Sequence, residues 1–454
     1  MENQIQEVPS EKTTKPKRAR RPSKRPQENE EKSVSAKTDK ESTAVEVANV
    51  KSDAKADAWS IEDFPVEEVE GKVRFHDLNI PDRVIKSIAE MGFEYCSEIQ
   101  AETLPMTLQG YDIIGQAQTG TGKTAAFLIA MISDFLDYPL EKREGNNFAR
   151  GLIIAPTREL ALQIADEAEK LTSNCYLNVV SLVGGMNYEK QKMSLAHETV
   201  DIVVATPGRL LDFARSRKVQ LGKVECLVLD EADRMLSMGF IPDVKSIIRM
   251  TPQKEVRQTM LFSATFPKDV QALAQQWTYF PKEVSVVPKE ATNQNIDQVI
   301  YTVEADQKWP VLKQLIEENG GQRTIIFANR RDETRDLYER LRKANINCAI
   351  LSGEVAQDKR VKTLKSFKDG IIQVLVATDV AGRGIHVDNV ALVVNYALPE
   401  DPEDYVHRIG RTGRGGEMGK SVSFASEDDA FMIPEIERVV GESIRCEYMV
   451  DMSQ

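Results

Sequence analysis

The chain has 454 residues, of which 41% are hydrophobic and 29% charged, and its formal net charge is −12 at pH 7. This length suits two or three domains, and neither a secretory leader nor an apolar run of the roughly 20 residues that a membrane helix needs is visible, so we expect a cytoplasmic protein. Scattered cysteines without a CxxC pair and dispersed histidines argue against a zinc site. The net negative charge argues against nucleic-acid binding through overall charge. Local arginines and backbone amides can still bind phosphates.

The N-terminal residues 1–70 contain few large apolar side chains and many Lys, Glu, Ser and Thr residues. This composition predicts a disordered charged tail. Within it, a basic run extends from Lys12 to Arg25 and is followed by an acidic segment. Two interpretations stay open for the run: a solvated tail with no role, or an electrostatic arm for RNA or acidic partners.

From Phe75 onward, short apolar segments alternate with helical stretches. The first series of candidate strands comprises residues 112–115, 152–155, 179–182, 202–205, 226–229 and 260–262. After a segment of linker composition, 288–297, a second series comprises 324–328, 348–351, 374–377, 392–395 and 421–424. This alternation predicts parallel sheets in two α/β domains, over residues 71–287 and 298–454.

A glycine-rich segment, AQTGTGKT from Ala117 to Thr124, lies between a predicted strand and a helical stretch over 125–136. Glycines let backbone N–H groups face phosphate oxygens, and the helix N-terminus adds partial positive charge. In such a loop Lys123 reaches the β- and γ-phosphates and Thr124 a Mg²⁺ ion. The segment therefore predicts a site for ATP and Mg²⁺ in preference to an ordinary glycine turn.

Two further segments follow predicted strands or fall in the second domain. LVLDEAD, Leu227 to Asp233, places Asp230 to hold Mg²⁺ and Glu231 to orient and deprotonate an attacking water. Alone, such an acidic cluster is more often a solvated turn or a helix cap. HRIGRTGR, His407 to Arg414, holds three arginines and is typical of an arginine finger that arrives on domain closure, with a basic surface loop as the alternative.

Taken together, the chain from about Phe75 onward resembles the DEAD-box family of ATP-dependent RNA helicases. The resemblance is carried by the segments above and by GF at 92–93, IQ at 99–100, PTRELA, the Gly184–Gly185 pair, TPGR, SAT, QDKR and ATDVAGRG, in the family order. It implies two tandem RecA-like domains joined by a short linker.

The resemblance also implies roles for single residues around ATP. Phe75 would stack on the adenine, and Gln100 would read its edge. The phosphate loop would comprise Gln118, Thr119, Gly120, Thr121, Gly122, Lys123, Thr124 and Ala125. His407, Arg411 and Arg414 would act at the phosphates, while Asp233, Ser263, Thr265 and Asp379 would couple the ATP state to RNA. His386 stands where many relatives carry a ribose-contacting aspartate, and a neutral imidazole supplies no carboxylate charge.

The RNA contacts implied by the resemblance are Pro156, Thr157, Arg158, Gly185, Thr206, Gly208, Arg209, Arg330, Gly353, Arg360 and Thr378. Small residues that expose backbone amides, together with arginines, suit sugar-phosphate recognition without strong sequence specificity. The 2′-OH would distinguish RNA from DNA.

The implied function is RNA-stimulated ATP hydrolysis that locally unwinds short duplexes. The residue pattern is closest to the bacterial degradosome helicases, which implies a role in RNA degradation and an endoribonuclease partner on the second domain. The alternatives are an ATP-gated RNA clamp, a ribosome-assembly helicase and a DNA helicase or translocase. The sequence does not name the RNA target.

Overall fold

The computed structural model describes residues 59–118, 120–140, 145, 147–197, 199–286, 295–353, 355, 357–379, 390–413 and 418–448. The basic run 12–25 and three predicted site residues, Thr119, His386 and Arg414, lie outside the described residues.

The first domain is a seven-stranded parallel sheet in the order β3-β4-β2-β5-β6-β1-β7. Its strands are β1 Ile113–Ala117, β2 Gly151–Ile154, β3 Val179–Leu182, β4 Ile202–Ala205, β5 Cys226–Asp230, β6 Gln258–Ser263 and β7 Lys282–Val286. Its helices are α1 Asp82–Glu90, α2 Glu98–Thr107, α3 Lys123–Asp137, α4 Arg158–Leu171, α5 Tyr188–His197, α6 Pro207–Arg215, α7 Ala232–Ser237, α8 Ile241–Ile248 and α9 Lys268–Trp277, with 3-10 helices at Ile61–Asp63 and Phe75–Asp77.

The second domain repeats this plan with a seven-stranded parallel sheet in the order β10-β11-β9-β12-β13-β8-β14. Its strands are β8 Ile296–Thr302, β9 Thr324–Phe327, β10 Cys348–Leu351, β11 Val374–Ala377, β12 Leu392–Asn395, β13 Gly419–Ala425 and β14 Arg445–Tyr448. Its helices are α10 Lys308–Glu318, α11 Arg331–Lys343, α12 Gln357–Lys368, α13 Pro402–Ile409 and α14 Ile433–Val440, with a 3-10 helix at Glu427–Met432. The prediction of two tandem parallel-sheet domains is confirmed.

Both sheets are covered on both faces, which is why their central strands are continuous apolar runs rather than alternating ones. In β5, Val228 joins the core beneath α1–α4, whereas Leu227 and Leu229 join the core beneath α6–α9. In the second domain Ile326 packs with α10 and α11, and Ile325 packs on the opposite face. The carboxyl ends of the buried strands therefore stand at one edge of each rigid sheet.

The predicted disordered tail, residues 1–70, is wrong for its last part. Residues 59–70 belong to the described fold, because Trp59, Ile61 and Phe64 pack against the first core. The predicted linker also ends early, since Ile296 and Asp297 already belong to β8 and pair with β13. Among the described residues, no helix is long and apolar enough to cross a membrane.

Candidate nucleotide and RNA site

The glycine-rich loop connects the end of β1 to the start of α3, which begins at Lys123, two residues before the predicted helix. Gly120 and Gly122 adopt φ angles of +86° and +94°, a region that favours glycine. The ammonium of Lys123 folds back and donates to the carbonyl of Ala117 at 2.7 Å. The loop is thus a backbone cradle at a helix N-terminus, the arrangement that binds phosphate.

Gln100 links the predicted adenine site to this loop. Its side-chain oxygen accepts from the Ser97 N–H at 2.9 Å, and its nitrogen donates to the Gly122 carbonyl at 3.0 Å. A carboxamide keeps a further lone pair and a further N–H for an adenine edge. Phe75 is only 1% exposed and belongs to the core. Stacking on adenine would require one face of its ring to become exposed, so this contact stays a prediction.

The acidic segment after β5 places two buried carboxyl groups opposite Lys123. Burial raises the pKa of Asp230 to about 6, and the charge of Lys123 opposes this shift. Glu231 adopts a left-handed φ of +55°, and neither of its buried carboxyl oxygens has a hydrogen-bond partner. The Arg234 guanidinium lies 3.5 Å from one of these oxygens. Buried oxygens that lack partners and a carboxyl that is costly to ionise fit a site for a hydrated divalent cation.

Three of the predicted coupling residues meet in one cluster. The backbone N–H of Asp233 donates to the Ser263 hydroxyl at 3.1 Å. The N–H and the hydroxyl of Thr265 approach Oδ2 of Asp233 at 2.9 and 3.0 Å. Ser263 ends β6, the neighbour of β5, so adjacent strand ends bring the cluster together. The fourth predicted coupling residue, Asp379, lies in the second domain.

Asp379 is engaged by Arg408, one of the three arginines in the HRIGRTGR segment. The Arg408 guanidinium contacts both carboxylate oxygens of Asp379, at 2.5 and 2.6 Å, and it also donates to Asn329 and to the Ala397 carbonyl. Arg408, to which the sequence assigns no phosphate contact, therefore makes contacts within the second domain. Arg411 is 2% exposed and donates from Nε to the His407 carbonyl.

The sheet order separates the predicted RNA residues from the predicted ATP residues. In the first domain, the RNA residues follow β3, β4 and β2, which are neighbours, while the ATP and coupling residues follow β1, β5 and β6. In the second domain, Gly353, Thr378 and Arg330 follow β10, β11 and β9, which are again neighbours. The predicted RNA residues named here therefore follow strands of one half of each sheet.

Several of the predicted RNA residues of the first domain lie close together around the Gly184–Gly185 turn. A Cβ at Gly185, where φ is +76°, would clash with the Arg158 guanidinium. The Thr206 hydroxyl lies 3.4 Å from the Gly184 N–H. Thr157 caps α4, Pro156 is buried before it, and Gly208 in α6 has open space where a side chain would be.

Two comparisons with known proteins cover both domains. A family model described as DEAD/DEAH box helicase matches residues 97–273, and one described as helicase conserved C-terminal domain matches residues 307–416. The chain is 53% identical over 386 residues to the ATP-dependent RNA helicase RhlB of Pseudomonas putida (strain KT2440), spanning 85% of this chain and 97% of that protein. The chain belongs to the DEAD/DEAH box helicase family.

Solved structures of the family share the two-domain architecture with this helicase. Mss116p bound to single-stranded RNA and AMP-PNP matches with a TM-score of 0.76 and 32% identity, covering 85% of this chain and 82% of that one. Dbp5 of S. cerevisiae bound to RNA and ADP BeF3 matches with a TM-score of 0.73 and 29% identity, covering 83% and 95%. The two sheets are thus tandem RecA-like domains.

Arg360 of this helicase pairs with a carboxylate of the first domain, and its RNA contact stays a prediction. Its Nε donates to a carboxylate oxygen of Glu159 in the first domain at 2.8 Å, and its Nη1 donates to the Ser352 carbonyl at 3.1 Å. Both side chains of the ion pair are 8% exposed. Arg360 therefore joins the two domains, whereas Arg330 has a side chain that is 76% exposed.

Three residues of the helicase site escape the sequence reasoning. Glu159 and Glu403 each contact a residue of the other domain. Tyr188 lies beside Arg209, whose guanidinium is 5.6 Å from the Tyr188 ring and also approaches the Met186 carbonyl. Only Glu159 has a local signal, since it falls inside the PTRELA segment.

Proposed function

We propose that this chain is an ATP-dependent RNA helicase that hydrolyses ATP when it binds RNA and locally separates short duplexes. The observation that carries the proposal is the division of both sheet edges, with the phosphate loop and acidic segment on one half and exposed glycines and arginines on the other. Two domains that present such halves can hold one RNA strand and one nucleotide between them only when they meet.

In this proposal the first domain binds ATP by itself. Lys123 exchanges its contact with the Ala117 carbonyl for the phosphates, and Gln100 holds the adenine against the loop. Thr124 and Asp230 would hold Mg²⁺, which neutralises charge that develops on the transferred phosphoryl group. Glu231 accepts the proton of the attacking water. Its oxygens are available for this role because no hydrogen bond occupies them.

The second domain completes the site on closure. His407, Arg411 and Arg414 supply positive charge and hydrogen-bond donors to the phosphates, so hydrolysis depends on domain position. The RNA backbone is held by Arg158, Gly185, Thr206, Gly208 and Arg209 of the first domain and by Arg330, Gly353 and Thr378 of the second. These contacts address phosphates and sugars, so the RNA is bound without strong sequence specificity.

Replacing Glu231 with Gln tests the catalytic assignment, because the amide keeps the shape and removes the base. We expect ATP turnover to fall by at least about 10²-fold, the size of a general-base contribution. RNA binding in the presence of ATP should persist or strengthen, since the contacts of the closed state remain. Single-turnover hydrolysis near the wild-type rate would contradict the assignment.

We infer that the biological setting is bacterial RNA degradation in the cytoplasm, supported by 53% identity to a protein named RhlB. The second domain would dock a segment of an endoribonuclease, an expectation motivated by the residue pattern around 403–407 and 441–444. The full-length chain should then retain an endoribonuclease from a lysate of its own organism. Retention of none would contradict this setting and leave the helicase activity in place.

A further inference from the structure

Glu403 reaches from the second domain into the coupling cluster of the first. It lies in the first turn of α13, and one of its carboxyl oxygens is 3.0 Å from the Thr265 hydroxyl. The same hydroxyl is 3.0 Å from Oδ2 of Asp233. One threonine oxygen thus stands between two carboxyl groups that belong to different domains.

The number of protons decides whether this arrangement is stable. A threonine hydroxyl has one proton to donate, and an ionised carboxylate can only accept. If both carboxyl groups are ionised, they compete for that proton and repel each other. A single added proton resolves this competition. Protonated Glu403 can donate a hydrogen bond to Thr265, while Thr265 donates one to Asp233.

Glu403 is the carboxyl that can take up this proton more readily. Both oxygens of Asp233 already accept backbone N–H groups, from Thr265 at 2.9 Å and from Arg234 at 2.9 Å. Burial of Glu403 raises its pKa, and the negative charges of Asp401, Asp404 and Asp233 act in the same direction, opposed by the Thr265 hydroxyl. His407 lies one turn further along the same helix.

We propose that Glu403 is a positioning residue that takes up one proton when the two domains close, and that this proton ties Thr265 and Asp233 to the second domain. The proposal rests on the proposed function, because closure is the step at which ATP and RNA are held together. Glu403 acts through Thr265 on the segment that contains Asp230 and Glu231, and it has no part in the chemical step itself.

Linkage fixes the sign of the pH effect. In the open form Glu403 is not buried against the first domain, so its pKa is lower than in the closed form. In the closed form its pKa is raised, so the closed state binds more protons and closure is favoured at low pH. As the pH rises from the open-state pKa towards the closed-state pKa, closure weakens by up to about tenfold for each pH unit, and above the closed-state pKa it becomes independent of pH.

The test compares the wild type with Glu403→Gln and Glu403→Ala in the full-length chain. RNA binding is measured with labelled single-stranded RNA and AMP-PNP, which reports closure without hydrolysis, at a series of pH values from about pH 5 to pH 8. The wild-type affinity should fall as the pH rises. The glutamine amide donates to Thr265 without a titrating proton, so E403Q should bind tightly with a flatter profile and exceed the wild type at the upper end.

The alanine variant lacks the donor, so its affinity should be about fivefold to tenfold below that of E403Q at every pH, the effect of one hydrogen bond. Glu435→Gln is the matched control, since it removes the same charge from an exposed position of the same domain and should follow the wild-type profile. In a Thr265→Val background, E403Q and E403A should bind equally.

Parallel wild-type and E403Q profiles, or E403Q binding as weakly as E403A, would overturn the role of Glu403. Those results would leave the helicase proposal intact, provided that AMP-PNP still stimulates RNA binding by the wild type. If AMP-PNP fails to stimulate RNA binding by the wild type and by every variant, both proposals fail.

Discussion

Gly122 and Gln100 are tied to each other by both backbone conformation and contact. Gly122 has a φ of +94°, and a Cβ there would lie 2.6 Å from Nε2 of Gln100 and 2.7 Å from the Ser97 hydroxyl. An added methyl group must therefore displace the amide that links the adenine site to the phosphate loop. The residue is glycine for two independent reasons, a left-handed backbone and a close approach.

We expect Gly122→Ala to weaken ATP binding by roughly tenfold or more, because it removes the Gln100–Gly122 hydrogen bond and shifts the predicted adenine contact. Gly110→Ala is the matched control. Its φ is +82°, so it carries a comparable backbone strain of about 1–2 kcal/mol, but nothing lies within 4 Å of the added Cβ. Nucleotide affinity by calorimetry should separate the two variants, and equal affinities would contradict the clash.

Some site residues followed from the sequence and others could not. Asp230 and Glu231 were placed correctly at a strand end because parallel strands gather their carboxyl ends at one edge. The left-handed backbone of Glu231 and its unpartnered oxygens depend on tertiary packing and have no sequence signal. The sequence also does not predict the contact of Arg408 with Asp379. The segment contains three arginines, and nothing in the sequence distinguishes the one that points into the second domain.

At the scale of elements, strand prediction succeeded where burial is complete. β4 and β11 are buried along their whole length and were found with their observed bounds. β14 was missed because all four of its residues are exposed at the sheet edge, so no apolar pattern marks it. β7 alternates weakly beside a polar segment, and β8 begins inside residues of linker composition. β7 and β14 each pair on one side only, so their own side chains carry a weak pattern.

The segment 59–70 is an element that composition alone hides. Phe64 stacks on His76 with ring centroids 5.4 Å apart, and the His76 ring nitrogen Nε2 lies 2.8 Å from the Phe64 carbonyl. The Tyr95 hydroxyl donates to the Glu67 carbonyl at 2.9 Å. These contacts hold the segment next to Phe75 and the start of the predicted adenine site.

Truncation should show that the segment belongs to the first domain. Removing residues 1–70 takes away Trp59, Ile61 and Phe64, so we expect unfolding stability to fall by about 2–5 kcal/mol, the effect of exposing three partly buried large side chains. Removing residues 1–58 is the matched control and should leave stability unchanged. Urea unfolding of the two shortened proteins gives the comparison. Equal midpoints would show that residues 59–70 do not stabilise the first domain.

At the scale of the whole molecule, the polar contacts Thr265–Glu403 and Glu159–Arg360 join the two domains within the part of the chain that the structure describes. They lie on different halves of the sheet edge, one at the ATP half and one at the RNA half. Their partners are separated by 138 and 201 positions along the chain. No local pattern predicts such pairs, because they exist only when the domains adopt this arrangement.

The Glu159–Arg360 pair allows the interdomain role of Arg360 to be separated from a direct RNA contact. We expect E159A and R360A each to weaken RNA binding in the presence of AMP-PNP by more than about tenfold, because either change leaves the other charge buried without its partner. The double variant should be no weaker than the worse single variant, the signature of residues that act as one unit. If Arg360 instead binds an RNA phosphate independently, E159A should have little effect and the two losses should add.

The exposed pair Asp166–Lys170, on the same helix as Glu159, is the matched control, since its side chains are 65% and 59% exposed. Its removal should change RNA binding by less than about 1 kcal/mol, as surface ion pairs do.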